Sequence, residues 1–315
     1  MTSDRRIQMR EIYPFLAEKT LRVIEGTAEE RINFLDEKHW VGYPKAAEIH
    51  SAMLQSLNVP SGDRAHSRLI VSESYNGKTW VLEHFFKLIR RDSNIKADAL
   101  GGVVLYVIAP PVADERRLLR EIILSTRSPQ YAQGTAFDMW GQLESLFKNL
   151  NIRMIIIDEC QRILAGTTVQ HIVCQEVIKH IDNKFHIPMF LAGMPSSLAA
   201  VSFDPQIENR FLPIALPLWA MDANYYNLLT ALEKFIPLRK QSKISENMAM
   251  LSKIHDLSGG KIGETYQLLK LMTIHELKRR REIIDEESLQ AVQADSFLMR
   301  SSLLHDSIQR PNIRV

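Results

Sequence analysis

The sequence predicts an α/β fold: a doubly wound core around a parallel sheet, followed by a smaller all-helical domain. Three observations predict it. Short apolar runs recur at residues 69–71, 103–108, 154–157 and 189–192. They are rich in β-branched residues and do not alternate, the pattern of strands buried on both faces. Between them, residues 80–90, 115–124 and 137–150 carry apolar side chains at helical spacing, and strand–helix repetition of this kind builds a layered α/β core. After about Trp219 the strands stop, and residues 224–235, 245–257, 263–280 and 285–295 all read as helices.

The first 60 residues also read as helical. Residues 28–35 combine helix formers with apolar positions at helical spacing. A break follows at Trp40-Val41-Gly42-Tyr43-Pro44, then a second helical pattern over 45–57, which Pro60-Ser61-Gly62-Asp63 ends. The expected organisation is an N-terminal helical extension (1–60), an α/β core (61–218), a helical lid (219–298) and a flexible tail (299–315).

Composition narrows the class. The chain has 315 residues, 45% hydrophobic and 24% charged, with 39 Lys and Arg against 37 Asp and Glu. A formal charge of +2 excludes a polycation and leaves room for nucleic-acid binding through one local patch. Two cysteines exclude a disulfide framework and fit a reducing cytoplasm, the expected location. Neither sits in a zinc-binding pattern. The N-terminal residues lack the apolar core of a signal peptide, and no apolar run is long enough to span a bilayer. No internal repeat or low-complexity linker is present.

The chemistry is concentrated in one stretch. The first apolar run is followed by Ser72-Glu73-Ser74-Tyr75-Asn76-Gly77-Lys78-Thr79-Trp80 and then a helix. This resembles the phosphate-binding loop G-x-x-x-x-G-K-[ST], with Ser72 in place of the first glycine. Such a loop wraps polyphosphate in backbone N–H groups at a helix N-terminus. Lys78 would reach the β- and γ-phosphates, and the Thr79 hydroxyl would hold Mg²⁺. Downstream, four apolar residues end in Asp158-Glu159. In a P-loop NTPase the first acid supports Mg²⁺, and the second is suited to take a proton from the attacking water. The strand at 188–192 ends at Gly193-Met194-Pro195-Ser196, where related folds carry a polar sensor; Ser196 is the nearest hydroxyl in sequence. Arg210, ahead of the last strand, is a candidate arginine finger acting on a neighbouring subunit, or else a cap on a helix C-terminus.

The chain resembles the TniB family of transposition ATPases, related to TnsC, within the AAA+ superfamily. Its carriers, in order, are Trp40 to Pro44, Asn76 to Thr79, Ile157-Asp158-Glu159, Ala192 to Pro195, and Glu208-Asn209-Arg210-Phe211 leading to Leu216 to Trp219. Residues 232–238 and 258–263 complete the set. The resemblance covers about residues 25–295. It implies an AAA+ P-loop core with a helical lid, binding of ATP and Mg²⁺, and a slow, partner-stimulated ATPase. It also implies a homo-oligomer, ring or helical filament, assembled on double-stranded DNA without sequence preference. A DDE transposase and a TniQ-type targeting protein are the implied partners, with hydrolysis driving disassembly. Carried onto this sequence, Ser72, Ser74, Asn76, Gly77, Lys78, Thr79 and Trp80 would surround the nucleotide. Asp158 would support Mg²⁺, Glu159 would be the base and Arg210 the finger. Tyr43 and Pro44 would wall the adenine, and Lys261 stands near a sensor position usually held by Arg.

DNA contacts are less sharply marked. Phosphate contacts need basic or hydroxyl side chains on one face, and Arg116, Arg117, Arg120 and Arg127 are the candidates. The denser run Lys278-Arg279-Arg280-Arg281 is ringed by acids and reads as a helix end. Two other readings share the core: a helicase-loader-like ATPase, and an ATP-gated DNA scaffold with little hydrolysis, suggested by Ser72.

Overall fold

The computed structural model describes residues 3–59, 66–91, 104–128, 131–164, 169–202 and 204–294. In chain order, residues before Pro44 form α1 (Ser3–Ile12) and α2 (Ala28–Phe34). Next come α3 (Pro44–Leu57), β1 (Ser67–Val71), α4 (Lys78–Arg91), β2 (Val104–Ile108), α5 (Glu115–Ser125) and α6 (Ala136–Leu150). They are followed by β3 (Met154–Asp158), α7 (Gln161–Leu164), α8 (Val169–Phe185), β4 (Met189–Gly193), α9 (Pro195–Ser202), α10 (Pro205–Glu208) and β5 (Phe211–Ala215). The chain then forms α11 (Ala223–Glu233), α12 (Met248–Ser258), α13 (Ile262–Arg279) and α14 (Glu286–Ala294).

These elements make two compact units. Pro44–Pro217 is one; Met1–Tyr43 together with Leu218–Val315 is the other. The boundary cuts the expected 1–60 extension at Tyr43. The reason is packing: Ala46, Ile49 and Met53 on α3 are fully buried, and α3 packs against α4 of the sheet unit. The expected tail at 299–315 lies outside the described residues.

The sheet unit holds five parallel strands in the order β2-β3-β4-β1-β5. β3 and β4 are central and buried at every residue, so only continuous apolar runs suit them. β5 is an edge strand, pairing with β1 alone, and there Pro213 is tolerated because its missing N–H faces no partner. The core joins the strands to α5, α6 and α8 through Leu118, Ile122, Leu143, Phe147, Ile178 and Ile181, all at most 5% exposed. Asp114 caps α5 by accepting from Arg117 N (2.8 Å), and Thr135 with Asp138 forms a capping box on α6. Helix α8 lies outside the sequence reading; its apolar stripe is weak, and tertiary burial of Cys174, Val177 and Ile178 decides it.

The helical unit has its own core, built on Tyr225, Leu229, Leu232, Ile254, Leu269 and Met272. The N-terminal segment is fastened into it by charge. Arg31, 2% exposed, donates from Nε to the Pro237 carbonyl (2.8 Å) and from Nη1 to Glu282 (2.8 Å). Thr20 Oγ1 also donates to the Lys234 carbonyl (2.8 Å). Two residues of the basic run near 280 are paired locally: Arg279 with Glu287 (2.7 Å), and Arg281 with Glu276 (3.5 Å) and Glu287 (2.7 Å). No described helix is long and apolar enough to cross a membrane.

Candidate nucleotide site

The site forms at the C-terminal ends of β1, β3 and β4, where parallel α/β sheets leave a crevice for ligands. Residues 72–77 leave β1 as a tight loop, and Lys78 opens α4. Two loop residues have left-handed backbone, Tyr75 (φ 59°) and Gly77 (φ 86°). Gly77 takes this conformation without the penalty a Cβ would bring. Ser72 does not need it, which explains how a serine replaces the expected first glycine. Its N–H donates to the Gly193 carbonyl (3.1 Å), continuing the β1–β4 pairing. Its Oγ accepts from Asn76 Nδ2 (3.0 Å).

Asn76 is 1% exposed and acts as the tether of the loop. Nδ2 also donates to the carbonyls of Leu216 (3.1 Å) and Pro217 (2.8 Å), just beyond β5. Three acceptors around one nitrogen set the amide's orientation. Lys78 is 6% exposed, and its ammonium donates to the Ser72 and Glu73 carbonyls, both at 2.8 Å. Burial holds its pKa below the usual lysine range, and the nearby charges of Glu159, Asp158 and Glu73 pull against that shift. Among the flanking residues, Ser74 is exposed with its hydroxyl 3.6 Å from Met194 Sδ, and Trp80 is half-buried on the first turn of α4.

Asp158 meets the loop directly. Its Oδ2 accepts from Thr79 Oγ1 (2.7 Å) and from the Tyr106 hydroxyl (2.9 Å), and Oδ1 accepts from Glu159 N (2.8 Å). A hydroxyl and a carboxylate side by side are hard oxygen donors, the set that suits Mg²⁺ shared with nucleotide phosphates. No cluster of three His, Cys, Asp or Glu side chains exists among the described residues, so no separate metal cage stands beside this pair. Tyr106 escaped the sequence reading; its signal was a phenol inside an otherwise aliphatic strand. Burial first, then the Asp158 charge, raises its pKa well above the usual phenol range, so it remains a donor.

Glu159 follows β3 with a left-handed backbone (φ 58°), a strained conformation of the kind concentrated at functional sites. Its Oε2 accepts from Gln161 Nε2 (2.8 Å) and lies 3.5 Å from Arg162 Nη2. At the end of β4 the two hydroxyls of the following turn differ. Ser196 is exposed, whereas Ser197 is fully buried. A Cβ on Gly193 would lie 2.2 Å from Ser197 Oγ, 2.7 Å from Cys160 Sγ and 3.0 Å from Gln161 Oε1, so only glycine fits there. Burial pushes the Cys160 thiol up to about 12, and it is inert filling.

The remaining candidates have other partners or stand on other elements. Arg210, after α10, pairs through Nη1 with Asp182 (2.9 Å) on α8. Arg116, Arg117 and Arg120 are exposed on α5, and Arg127, just past it, is exposed with φ 61°. Pro44 begins α3 in the sheet unit. Tyr43 and Lys261 belong to the helical unit, where the Tyr43 ring meets Trp219 (centroids 4.9 Å) and Lys261 precedes α13 without capping it.

Solved structures place the fold. The Aeropyrum pernix ORC2 protein, solved in ADPNP–ADP complexes, is 17% identical over 83% of this chain and 71% of that one, with a TM-score of 0.57. Cdc6p from Pyrobaculum aerophilum gives 13% identity, 81% and 68% coverage, and a TM-score of 0.62. The Aeropyrum pernix ORC1 protein, solved in complex with DNA, gives 14%, 84% and 69%, and 0.58. At these identities the likeness is one of fold alone, an α/β P-loop NTPase fold. Among curated proteins none matches the chain. The family described as bacterial TniB protein matches residues 31–221, which take in the phosphate loop, both acids and every described strand. A chain with this fold, matched over more than half its length, belongs to the TniB family.

Proposed function

We propose that this chain is an ATP-dependent, DNA-binding regulator of transposition. The observation that carries the reading is the Thr79–Asp158 hydrogen bond, which joins the phosphate loop to the end of β3 beside Glu159. The polyphosphate lies over the loop and the α4 N-terminus, where first-turn N–H groups lack intrahelical partners. Lys78 exchanges its two carbonyls for phosphate oxygens. Thr79 and Asp158 hold Mg²⁺, which when bound neutralises charge on the phosphates. Glu159, through Oε1, takes a proton from water as that water's oxygen bonds to the γ-phosphorus. The bond from γ-phosphorus to the bridging oxygen breaks, and ADP and phosphate leave.

Family membership supports the regulatory role, and the fold of proteins solved with DNA supports a DNA partner. In this reading copies of the chain assemble along duplex DNA, with Arg116, Arg117, Arg120 and Arg127 near the phosphates. Many weakly held protomers gain affinity together. Arg210 acts across the interface between copies, and to do so it must leave Asp182. Tyr43 and Pro44 wall the adenine, and Lys261 approaches the nucleotide from the lid. The assembly recruits a DDE transposase and a TniQ-type partner, and slow hydrolysis, accelerated by the transposase, dismantles it. The location is the cytoplasm, on the nucleoid when DNA is bound.

The test combines ATP turnover, with and without duplex DNA, and electron microscopy with DNA and a non-hydrolysable ATP analogue. Ordered oligomers on DNA that need nucleotide, and a Glu159→Gln variant that assembles but turns over roughly 100-fold slower or worse, are the expected results. Assembly indifferent to nucleotide, or wild-type turnover by Glu159→Gln, overturns the reading.

A further inference from the structure

The polar group beside the end of β4 comes from a different element. Gly193 and Met194 present no polar side chain there, and the Ser197 hydroxyl is turned beneath the strand against Cys160 Sγ (3.5 Å). Gln161, two residues beyond Glu159, fills the place. Its Oε1 accepts from Met194 N (3.3 Å), and its Nε2 donates to Glu159 Oε2 (2.8 Å). Oε1 stands 3.0 Å from where a Gly193 Cβ would be, beside Ser197 Oγ (2.2 Å) and Cys160 Sγ (2.7 Å), so the missing side chain makes room for all three groups.

We propose that Gln161 is the positioning residue of the hydrolytic site, one amide that ties the Glu159 carboxylate to the first turn beyond β4. This rests on the reading of Glu159 as the base. The geometry gives the amide two tasks. By occupying Oε2, it turns Oε1 toward the incoming water. By holding Met194 N, it makes the direction of Glu159 depend on the β4 turn, whose Gly193 carbonyl also accepts from Ser72 N of the phosphate loop (3.1 Å). A shift of the loop on nucleotide binding therefore reaches the base through Ser72, Gly193, Met194 and Gln161 in succession. Arg162, the other group near Oε2, lies at 3.5 Å on an exposed side chain and fixes direction less well.

The test uses the full chain with duplex DNA. Gln161→Met keeps the side-chain length and removes both amide functions; Gln161→Glu keeps the acceptor and removes the donor. A hydrogen bond to a charged group is worth roughly 10- to 100-fold, and both variants are expected to lose kcat by that factor. KM for ATP should stay within about twofold and the melting temperature unchanged. In a Glu159→Gln background, Gln161→Met should cause no further loss, because two residues that act as one unit are not additive. Near-normal kcat in both variants overturns the proposal. So does an equal loss in the Glu159→Gln background, or loss of fold in both. Absence of turnover by the unsubstituted chain instead overturns the parent reading of an ATPase.

Discussion

The two units both bury charge and dispose of it in opposite ways. In the helical unit the buried ionic groups close on one another: Arg31 meets Glu282, and Glu276 meets Arg281 (3.5 Å) and the Ser288 hydroxyl (2.8 Å). At the strand ends of the sheet unit, Lys78 is held by two carbonyls, and Asp158 by two hydroxyls and a backbone N–H. A closed pair is a fastener, since each charge has already met its opposite. A cation and an acid held by neutral groups retain charge for a ligand. Away from the site the sheet unit also closes its pairs, as in Lys179–Asp204 (2.8 Å), so the exception is local to the loop.

Substitution can break this contrast, and the largest effect should come from the fastener. Arg31→Ala takes the main partner from half-buried Glu282 and strands the buried Pro237 carbonyl, which should cost about 3 kcal/mol in a urea melt. ATP affinity should not change; a midpoint that stays put would show that the pair fastens nothing. Lys78→Ala should do the reverse. Loss of a charge-assisted contact weakens ATP binding by roughly 10- to 100-fold in calorimetry, with a smaller loss of apo stability than Arg31→Ala, because the removed cation is held by two neutral carbonyls and feels the nearby acids without pairing with one of them directly. A marked fall in melting temperature with intact affinity would place Lys78 among the fasteners.

Two smaller effects sharpen the picture. Asn76→Ala strands the Leu216 and Pro217 carbonyls, which should destabilise the sheet unit by about 1–2 kcal/mol. Thermal denaturation followed with and without ATP should show a larger loss in the bound state if the amide also orders the loop. The smallest effect is that of pH on the helical unit. Burial raises the pKa of Glu282, but the hydrogen bonds from Arg31 and Arg239 N, together with the charges of both arginines, outweigh it and hold the carboxyl below the usual glutamate range. The unfolded chain then binds this proton more readily than the folded one. The pair's stabilisation is whole above about pH 4.5 and fades as pH falls through the depressed folded value. Arg31→Ala should remove that part of the pH dependence, as stability curves between pH 3 and 6 would show.

The phosphate loop and the Asp158-Glu159 pair were legible because each is contiguous: the residues that act together lie side by side in the chain, after an apolar run that marks a strand. Tyr106 and Gln161 were harder. Tyr106 acts through a carboxylate on a neighbouring strand, a pairing set by the register of β2 on β3. Gln161 was visible two residues past Glu159, but its partner Met194 reaches it only once β3 and β4 are adjacent. Ser196 is the nearest hydroxyl in sequence, but sequence does not say which way the first turn of a helix points, and Ser196 is exposed.

By itself, the sequence determined the strand–helix alternation, the parallel sheet and the residue types of the phosphate loop, because these follow from local periodicity and short-range chemistry. Tertiary structure alone decided that Ser72 can stand in for glycine, since its backbone pairs with Gly193 and its hydroxyl with Asn76. It likewise decided that residues up to Tyr43 group with the C-terminal helices, and that a glutamine supplies the polar group missing from β4. Each of these depends on which atoms distant segments bring within hydrogen-bond reach, and no local pattern encodes that.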